Sequence, residues 1–255
     1  MKKIPVKFLV AFTVIVALLV ITTVSGVVAN PAITSNNYDS HFEMKHIGIT
    51  LLENEKNVGY RDYFTTGEKG EVTDFGWKKG NAPLFEDITN FKVGETYTEE
   101  FKIRNSGTID EYVRIVIYKY WVKDNAEESK VRTLNPDFIE LGLLTDGNWI
   151  LDNTATTKER VILYYKLPLP VGEDTDLFMK TLKINNAVLA NMSAIETKVD
   201  DNHKTMVYTY DYNGYKFCVE MEADAVQTHN AVDAIKSAWG KTVTINADKS
   251  LSLVN

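Results

Sequence analysis

Residues 91–121, FKVGETYTEEFKIRNSGTIDEYVRIVIYKYW, contain the two strand patterns that decide the fold. In the first pattern, Phe101 and Ile103 alternate with charged residues, which is typical of a β-strand with one face in water. Residues 105–107, Asn-Ser-Gly, supply a turn. A second run of strand-forming residues begins at Tyr112, so the stretch predicts a strand, a turn and a longer strand.

The second run, residues 111–120, is apolar on both faces. Alternate residues of a strand point to opposite sides of the sheet. One side therefore carries Val113, Ile115 and Ile117, and the other carries Tyr112, Val116, Tyr118 and Tyr120. A strand with no polar face is covered on both sides by other parts of the protein. We therefore predict an all-β fold, a two-sheet antiparallel β-sandwich, in which this strand is internal.

The N-terminus has the pattern of an export signal. Three lysines within the first seven residues precede an uncharged apolar run, residues 8–24, and Val27 and Ala29 fit the small-residue positions of a cleavage site. The alternative is an uncleaved membrane anchor, although the run is slightly shorter than the roughly 20 residues that a spanning helix prefers. We predict that residues 1–29 are a signal peptide, removed by a signal peptidase, and that the secreted product has no stable insertion in the membrane.

Charge and cysteine content exclude two classes of protein. Loss of residues 1–29 removes three lysines and no acidic residue, which changes the formal charge from −7 to −10. Nucleic-acid binding needs basic surfaces that neutralise phosphates, so we predict no nucleic-acid partner. Cys218 is the single cysteine, which excludes an intramolecular disulfide, so stability has to come from an apolar core.

The rest of the chain is predicted to be one domain with an arm. Residues 30–45 have little periodicity and form an extended N-terminal arm, and residues 46–255 form a single β-sandwich domain. Further strands are predicted at residues 160–167 and 177–184.

An irregular excursion interrupts the domain at residues 54–90. Frequent glycines in this segment predict surface structure with at most short strands. Its aromatic side chains either fix the excursion to the sandwich or form a ligand-facing patch. These aromatic residues are Tyr60, Tyr63, Phe64, Phe75, Trp77 and Phe85.

A hairpin is predicted around Asn213-Gly214, which is a typical type I′ turn. In that register Tyr212 faces Tyr215, and Asp211 faces Lys216 as a pair of opposite charges.

One short helix is predicted near the C-terminus, over residues 228–239. Val232, Ile235 and Trp239 share a face of this helix, and Gly240 ends it.

Three blocks of sequence carry a family resemblance: VGETYTEEFKIRNSGTIDEYVRIVI at 93–117, YYKLPLPVGEDTDLF at 164–178 and EADAVQTHNAVDAIKSAWG at 222–240. Together with the export signal, they resemble the TasA/camelysin family of exported proteins from Gram-positive bacteria. The resemblance implies a jelly-roll-like β-sandwich, processing by a dedicated signal peptidase, and a role at the cell surface or in fibres of the biofilm matrix. Residues 54–90 depart from that pattern.

The same family also includes proteins labelled as metalloproteases, but the histidines of this chain do not support that activity. A zincin helix presents two histidines four residues apart with a glutamate beside the first. His41 and His46 are five apart in a stretch without helical periodicity, and His203 and His229 stand alone. We therefore predict no catalytic residues, no cofactor and no metal site.

A loop before the predicted strand at 177–184 contains three acidic residues, Glu173, Asp174 and Asp176. Three carboxylates can ligate calcium, but they also occur in solvated turns, and nothing in the sequence frames them as a calcium loop. A solvated turn is the simpler interpretation.

These observations predict an exported structural protein that acts at the cell surface or in the extracellular matrix. Two alternatives remain: a monomeric surface module that binds carbohydrate or protein through residues 54–90, and a metalloprotease of the camelysin type. The predicted partner of the structural protein is another copy of itself, in a head-to-tail homopolymer.

The arm supplies a mechanism for that assembly. Ile33, Tyr38 and Phe42 give it enough apolar side chains to dock in a groove of a neighbouring molecule. An edge strand of a sandwich has unpaired backbone groups that an extended segment can satisfy. The family resemblance implies the same arrangement, because TasA fibres pass an N-terminal strand into the next subunit. The alternatives are a disordered tail and an arm that folds back on its own sheet.

Overall fold

The computed structural model describes residues 45–65, 72–74, 76–124, 129–199 and 204–254. These residues form two antiparallel β-sheets that face each other across an apolar core, with one helix of more than two turns near the C-terminal end. The predicted all-β, two-sheet sandwich is therefore confirmed.

Sheet A has seven strands, in the order β3-β2-β1-β5-β11-β8, with β4 also paired to β2. The strands are β1 (Ile47–Glu53), β2 (Lys56–Thr65), β3 (Val72–Asp74), β4 (Lys78–Lys79), β5 (Thr96–Asn105), β8 (Ile139–Leu143) and β11 (Met179–Ile184).

Sheet B has five strands, in the order β14-β6-β10-β9, with β7 paired to the end of β6. The strands are β6 (Glu111–Lys123), β7 (Lys130–Val131), β9 (Trp149–Leu151), β10 (Arg160–Tyr165) and β14 (Tyr215–Gln227).

The remaining elements of the described ranges are two hairpins and three short helices. The hairpins pair β12 (Met192–Val199) with β13 (Lys204–Tyr210) and β15 (Val243–Ile245) with β16 (Leu251–Leu253). The helices are a 3-10 turn (Pro136–Phe138), α1 (Ala187–Ala190) and α2 (Ala231–Trp239). Every helix in the described ranges is too short or too polar to cross a membrane.

Strand β6 is internal, as its two apolar faces predict. Its neighbours are β14 and β10, and Ile115 and Val116 are both buried. Ile115 packs in the core between the sheets, with Val113 and Ile117, while Val116 packs on the outside of sheet B with Tyr112.

The outer face of sheet B is dry because the C-terminal elements cover it. Ile235 of α2, Val243 of β15 and Leu251 of β16 form a second apolar cluster with Tyr112 and Val116. The Tyr112 hydroxyl donates a hydrogen bond to the Lys249 carbonyl at 2.6 Å, so its polar end is also satisfied.

Strand β2 corrects the prediction of an irregular excursion at residues 54–90. A ten-residue strand, Lys56–Thr65, pairs with β1 in an antiparallel ladder that has one register shift, between Leu51 and Leu52, whereas at most short strands were expected. Glycines made the segment look irregular. This strand has a glycine at position 59 because the Trp77 ring occupies the space of a side chain there. A Cβ added to Gly59 would lie 2.3 Å from a carbon atom of that ring.

The predicted hairpin at Asn213-Gly214 is wrong. β13 pairs with β12, and β14 pairs along its whole length with β6, so Lys216 lies opposite Val122 and not Asp211. Gly214 has the positive φ of a turn, but Asn213 does not, which excludes a type I′ geometry. The long apolar strand β6 offers thirteen residue pairs, more than the local hairpin offers.

The helix is confirmed but begins later than predicted, at Ala231, and ends at Gly240, whose φ is +68°. Ile235 is fully buried and Trp239 packs against the outer cluster, as expected. Val232 is 42% exposed, which contradicts its predicted place on the shared face. It lies at the margin of a buried stripe that Ala231 and Ile235 define four residues apart.

Candidate functional site

The free edge of β14 follows from the hydrogen-bond pattern of β6. The Lys119 N–H donates to the Glu159 carbonyl at 2.9 Å, on the β10 side of β6. Alternate residues of a strand bond to opposite neighbours, so the even-numbered residues of β6 bond to β14. Lys119 lies opposite Val219, and Ile117 opposite Met221. The backbone groups of Val219 and Met221 therefore point away from β6, and no backbone group of the described residues pairs with them.

An edge groove of about 640 Å³ runs beside this free edge. It touches four consecutive residues of β14, from Val219 to Glu222, which point alternately to the two faces of sheet B. A groove that touches all four runs along the edge of the strand rather than over one face. The side of the groove opposite β14 is lined by Val58, Trp77 and Leu84, and by residues 79–83.

An aromatic groove of about 640 Å³ lies near the first residues of β14. It opens between the two sheets, and its lining contains few polar residues. The walls are formed by Phe85, Ile88, Phe91, Val93, Trp121, Ile184, Val188, Leu189, Tyr212, Asn213, Tyr215, Lys216 and Phe217.

Ring contacts hold the aromatic groove in shape. Phe91 packs against Tyr97 and Phe217, with ring centroids 5.2 and 5.0 Å apart. Trp121 meets Tyr212 edge-on at 4.8 Å. Such pairs stabilise a fixed arrangement by about 0.5–1.5 kcal/mol each beyond the apolar area they bury. The groove is therefore largely preformed, as ligand sites usually are.

Residues 77–91 border both grooves, because Trp77 and Leu84 line the edge groove and Phe85 and Phe91 line the aromatic one. Trp77 and Phe85 also pack against the main core, so these two aromatic side chains attach the excursion to the sandwich. Phe85 both lines the aromatic groove and packs in the core, where its ring centroid lies 5.7 Å from that of Phe101. The side chains of Phe64 and Phe75 lie outside the described part of the structure.

One buried carboxyl group, that of Glu53, fixes the middle of that segment, and the buried carboxyl group of Glu99 lies beside it. Both oxygens of Glu53 accept from the Phe85 N–H, at 3.0 and 2.9 Å, and Glu99 accepts from Asn54 Nδ2 at 2.8 Å. Burial raises the pKa of Glu53 to about 7, against the Phe85 hydrogen bond, and the neighbouring Glu99 and Asp87 raise it further. Burial also raises the pKa of Glu99.

A third, polar pocket of about 580 Å³ contains the two histidines that the structure describes. His46 and His229 line it together with Lys45, Asp110 and Gln227. His41 and His203 lie outside the described residues. Within the described ranges, no group of three or more histidine, cysteine or acidic side chains is arranged to hold a metal ion.

The three acidic residues of the 173–176 loop do not converge. Asp174 forms a two-bond ion pair with Arg104, at 2.6 and 2.9 Å, and a third contact with Lys102 at 3.0 Å. Asp176 accepts from Asn148 at 2.7 Å. Arg104 and Lys102 lower the pKa of Asp174 against the effect of burial, so this carboxylate is neutralised by protein cations.

Glu111 is a buried carboxyl that the sequence did not reveal as unusual. It is fully buried at the start of β6, and neither of its oxygens has a hydrogen-bond partner of normal geometry. Burial raises its pKa to about 9, Asp62 raises it further, and the Gly48 N–H opposes the shift. Glu111 is therefore uncharged at neutral pH.

The predicted assembly residues, Ile33, Tyr38 and Phe42, lie outside the described residues, as do the signal segment and most of the arm. Their docking stays a prediction. Comparison of the chain with models of protein families, with curated proteins and with solved structures found no match.

Both grooves escaped prediction from the sequence. Each is built from segments that are distant in the chain, such as Phe85, Trp121 and Phe217 in the aromatic groove. The one sequence signal was the unusual number of aromatic residues between 54 and 90. The free edge of β14 was hidden because the Asn213-Gly214 turn predicted a strand partner there.

Proposed function

We propose that this chain is an exported structural protein of the cell surface or extracellular matrix, whose copies join when an extended segment of one adds to the free edge of β14 in the next. The observation that carries the proposal is the edge groove beside Val219–Glu222. It combines unpaired backbone groups with apolar side pockets, which are the two requirements of strand addition.

The two parts of the groove have different roles in this mechanism. The backbone of Val219 and Met221 offers hydrogen bonds that any sequence can satisfy, each with a net value of about 0.5–1.5 kcal/mol. Val58, Trp77 and Leu84 supply the apolar surface that selects the side chains of the incoming strand. Affinity comes from the first and specificity from the second.

The proposed donor is the arm, residues 30–43, through Ile33, Tyr38 and Phe42. Tyr38 and Phe42 are four residues apart, so they lie on the same face of an extended strand, whereas Ile33 is five residues before Tyr38 and lies on the opposite face. A contact in which the arm of one copy enters the groove of the next does not close on itself, so it produces a filament. The resemblance to the TasA/camelysin family supports the same interpretation, as does the pattern of an export signal.

Deletion of residues 30–43 tests the donor. We expect the shortened protein to unfold as cooperatively as the unshortened one and to form no filaments in electron micrographs at concentrations where the unshortened protein does. Filaments of normal length from the shortened protein would rule out the arm as donor.

A proline pair tests the acceptor. In Val219→Pro the lost N–H faces the free edge, so pairing with β6 is kept while the site for an added strand is blocked. In Glu220→Pro the lost N–H bonds to β6, so this variant measures the cost of breaking the internal ladder. We expect Val219→Pro to stay folded and remain monomeric by analytical ultracentrifugation. Filaments from a folded Val219→Pro protein would place the contact elsewhere.

The aromatic groove favours a second candidate function, a surface module that binds a partner partly through the 54–90 excursion. Its walls offer many apolar and aromatic side chains but only Asn213 and Lys216 as polar side chains outside the tyrosines. Carbohydrate recognition needs several polar groups, so an apolar peptide segment suits this groove better. Retention on immobilised aromatic peptides, lost in Phe91→Ala, tests it; equal retention of wild type and variant would exclude the groove.

A further inference from the structure

Residues 85–91 are held to sheet A by the carboxyl group of Glu53, which lies beside a second buried carboxyl group, so the two repel if both are charged. Glu53 ends β1 and Glu99 lies in β5, and they are only 4% and 3% exposed. Their side chains lie close enough to interact, and a proton on one carboxyl group allows it to donate a hydrogen bond to the other. Two carboxylates in one buried site repel, so the pair retains a proton that an exposed pair would lose.

The surroundings give the pair little compensation. Asp87 faces both carboxyl groups and adds negative charge. Lys56 is the cation that acts on Glu99, but its ammonium is exposed and already contacts Asp87 at 2.8 Å and Glu86 at 3.4 Å. The uncharged partners are the Phe85 N–H and the Asn54 amide.

The backbone conformation of Phe85 depends on its hydrogen bond to Glu53. Its φ is +60°, in the left-handed region that a bulky side chain rarely adopts. Such a residue keeps its conformation only while the surrounding contacts enforce it. Glu53 is the group that accepts its amide, and Phe85 begins the segment that carries Ile88 and Phe91 into the aromatic groove.

We propose that the Glu53–Glu99 pair is a protonation-controlled latch on residues 85–91, and so on one wall of the aromatic groove. While one proton is shared, Glu53 holds the Phe85 amide and the wall is closed. When that proton leaves, one carboxylate moves out into water, the contact with the segment is lost, and the wall opens. The latch does not depend on which ligand, if any, uses the groove.

The direction of the pH response follows from linkage. Glu53 binds its proton more tightly in the closed state, with a pKa of about 7, than in an open state where it is hydrated and close to 4.5. Rising pH therefore favours opening between these two values, by about tenfold per pH unit for one proton, and has no further effect above the higher value.

Amide hydrogen exchange of Phe85 and Ile88 in the purified protein, corrected for the intrinsic pH dependence of exchange, tests the latch. We expect the protection factors to fall by roughly 40-fold from pH 5 to pH 7 and to level off by pH 8. Glu53→Gln keeps an oxygen for the Phe85 N–H and a donor for Glu99 but cannot ionise, so its protection should not vary with pH.

Two further variants complete the test. Glu99→Gln removes the neighbouring negative charge but leaves Glu53 buried and ionisable, so it should weaken the pH response without abolishing it, which keeps the test decisive if Glu53→Gln fails to fold. Glu111→Gln is the control, because it makes the same change at a buried glutamate outside this segment. It should leave the pH response of Phe85 and Ile88 protection intact. A constant protection factor in wild type, or an unchanged response in both latch variants, would overturn the proposal.

Discussion

Glu111→Gln is predicted to stabilise the protein, and by an amount that depends on pH. A glutamate that is ionised at pH 7 in the unfolded chain has to take up a proton on folding here, because burial holds its pKa at about 9 instead of 4.5. Each unit between 4.5 and the working pH costs about 1.4 kcal/mol. The cost at pH 7 is therefore about 3 kcal/mol, absent below pH 4.5 and still increasing up to pH 9.

Glutamine has the same shape and no charge to lose, so the variant should escape this cost. Urea unfolding of wild type and variant at pH 4.5, 6 and 7.5 measures the difference in the free energy of unfolding. We expect nearly equal stability at pH 4.5 and a gap that widens by roughly 1.4 kcal/mol per pH unit in favour of the variant. Glu173→Gln, at an exposed carboxylate, is the control and should show no gap. Parallel stability curves for wild type and Glu111→Gln would refute the assigned burial of this carboxyl.

Three other substitutions test the packing, each by urea unfolding. Ile235→Ala should cost about 2–5 kcal/mol because it opens a cavity under α2, and Val232→Ala less than about 0.5 kcal/mol, since Val232 is exposed; equal costs would contradict the placement of the helix. Asp224→Ala should cost about 2–4 kcal/mol, because it leaves the largely buried Arg114 without its carboxylate; a loss below about 0.5 kcal/mol would exclude that role. Gly94→Ala should cost more than the roughly 1–3 kcal/mol of a strained positive φ alone, because its Cβ would lie 1.9 Å from Asn186 Oδ1. Gly214→Ala, also at positive φ but with open space around it, is the matched control, and a cost for Gly94→Ala no greater than that of the control would contradict the close approach.

The part of the fold that was predictable is the part that local pattern determines. β6 has apolar residues on both faces, and the structure covers both faces as that pattern requires. Arg160–Tyr165 and Met179–Ile184 form strands within the predicted ranges, and Gly240 ends the helix. In each case the residues that carry the signal are neighbours in the chain.

The part that was not predictable depends on competition between distant partners. Asn213-Gly214 is a strong local turn signal, but β14 pairs with β6 because that ladder is longer and buries more apolar surface. Strand β2 is a similar case: its pairing with β1 places it inside sheet A, although its glycine predicted irregular structure. Both grooves arise between segments whose proximity only the complete topology determines, so no spacing in the sequence reveals them.

The partnership of β6 with β14 has a consequence for how the chain reaches its native state. Glu111 is opposite Gln227, so most of the sequence has to be present before sheet B can form. Closing such a large loop has to precede the contacts between β6 and β14, which makes folding slow. Until then β6 is an apolar strand with both faces uncovered, the kind of segment that aggregates. A chain interrupted before β14 should therefore precipitate rather than fold into a smaller sandwich, whereas the proposed export, which needs an unfolded chain, benefits from the same delay.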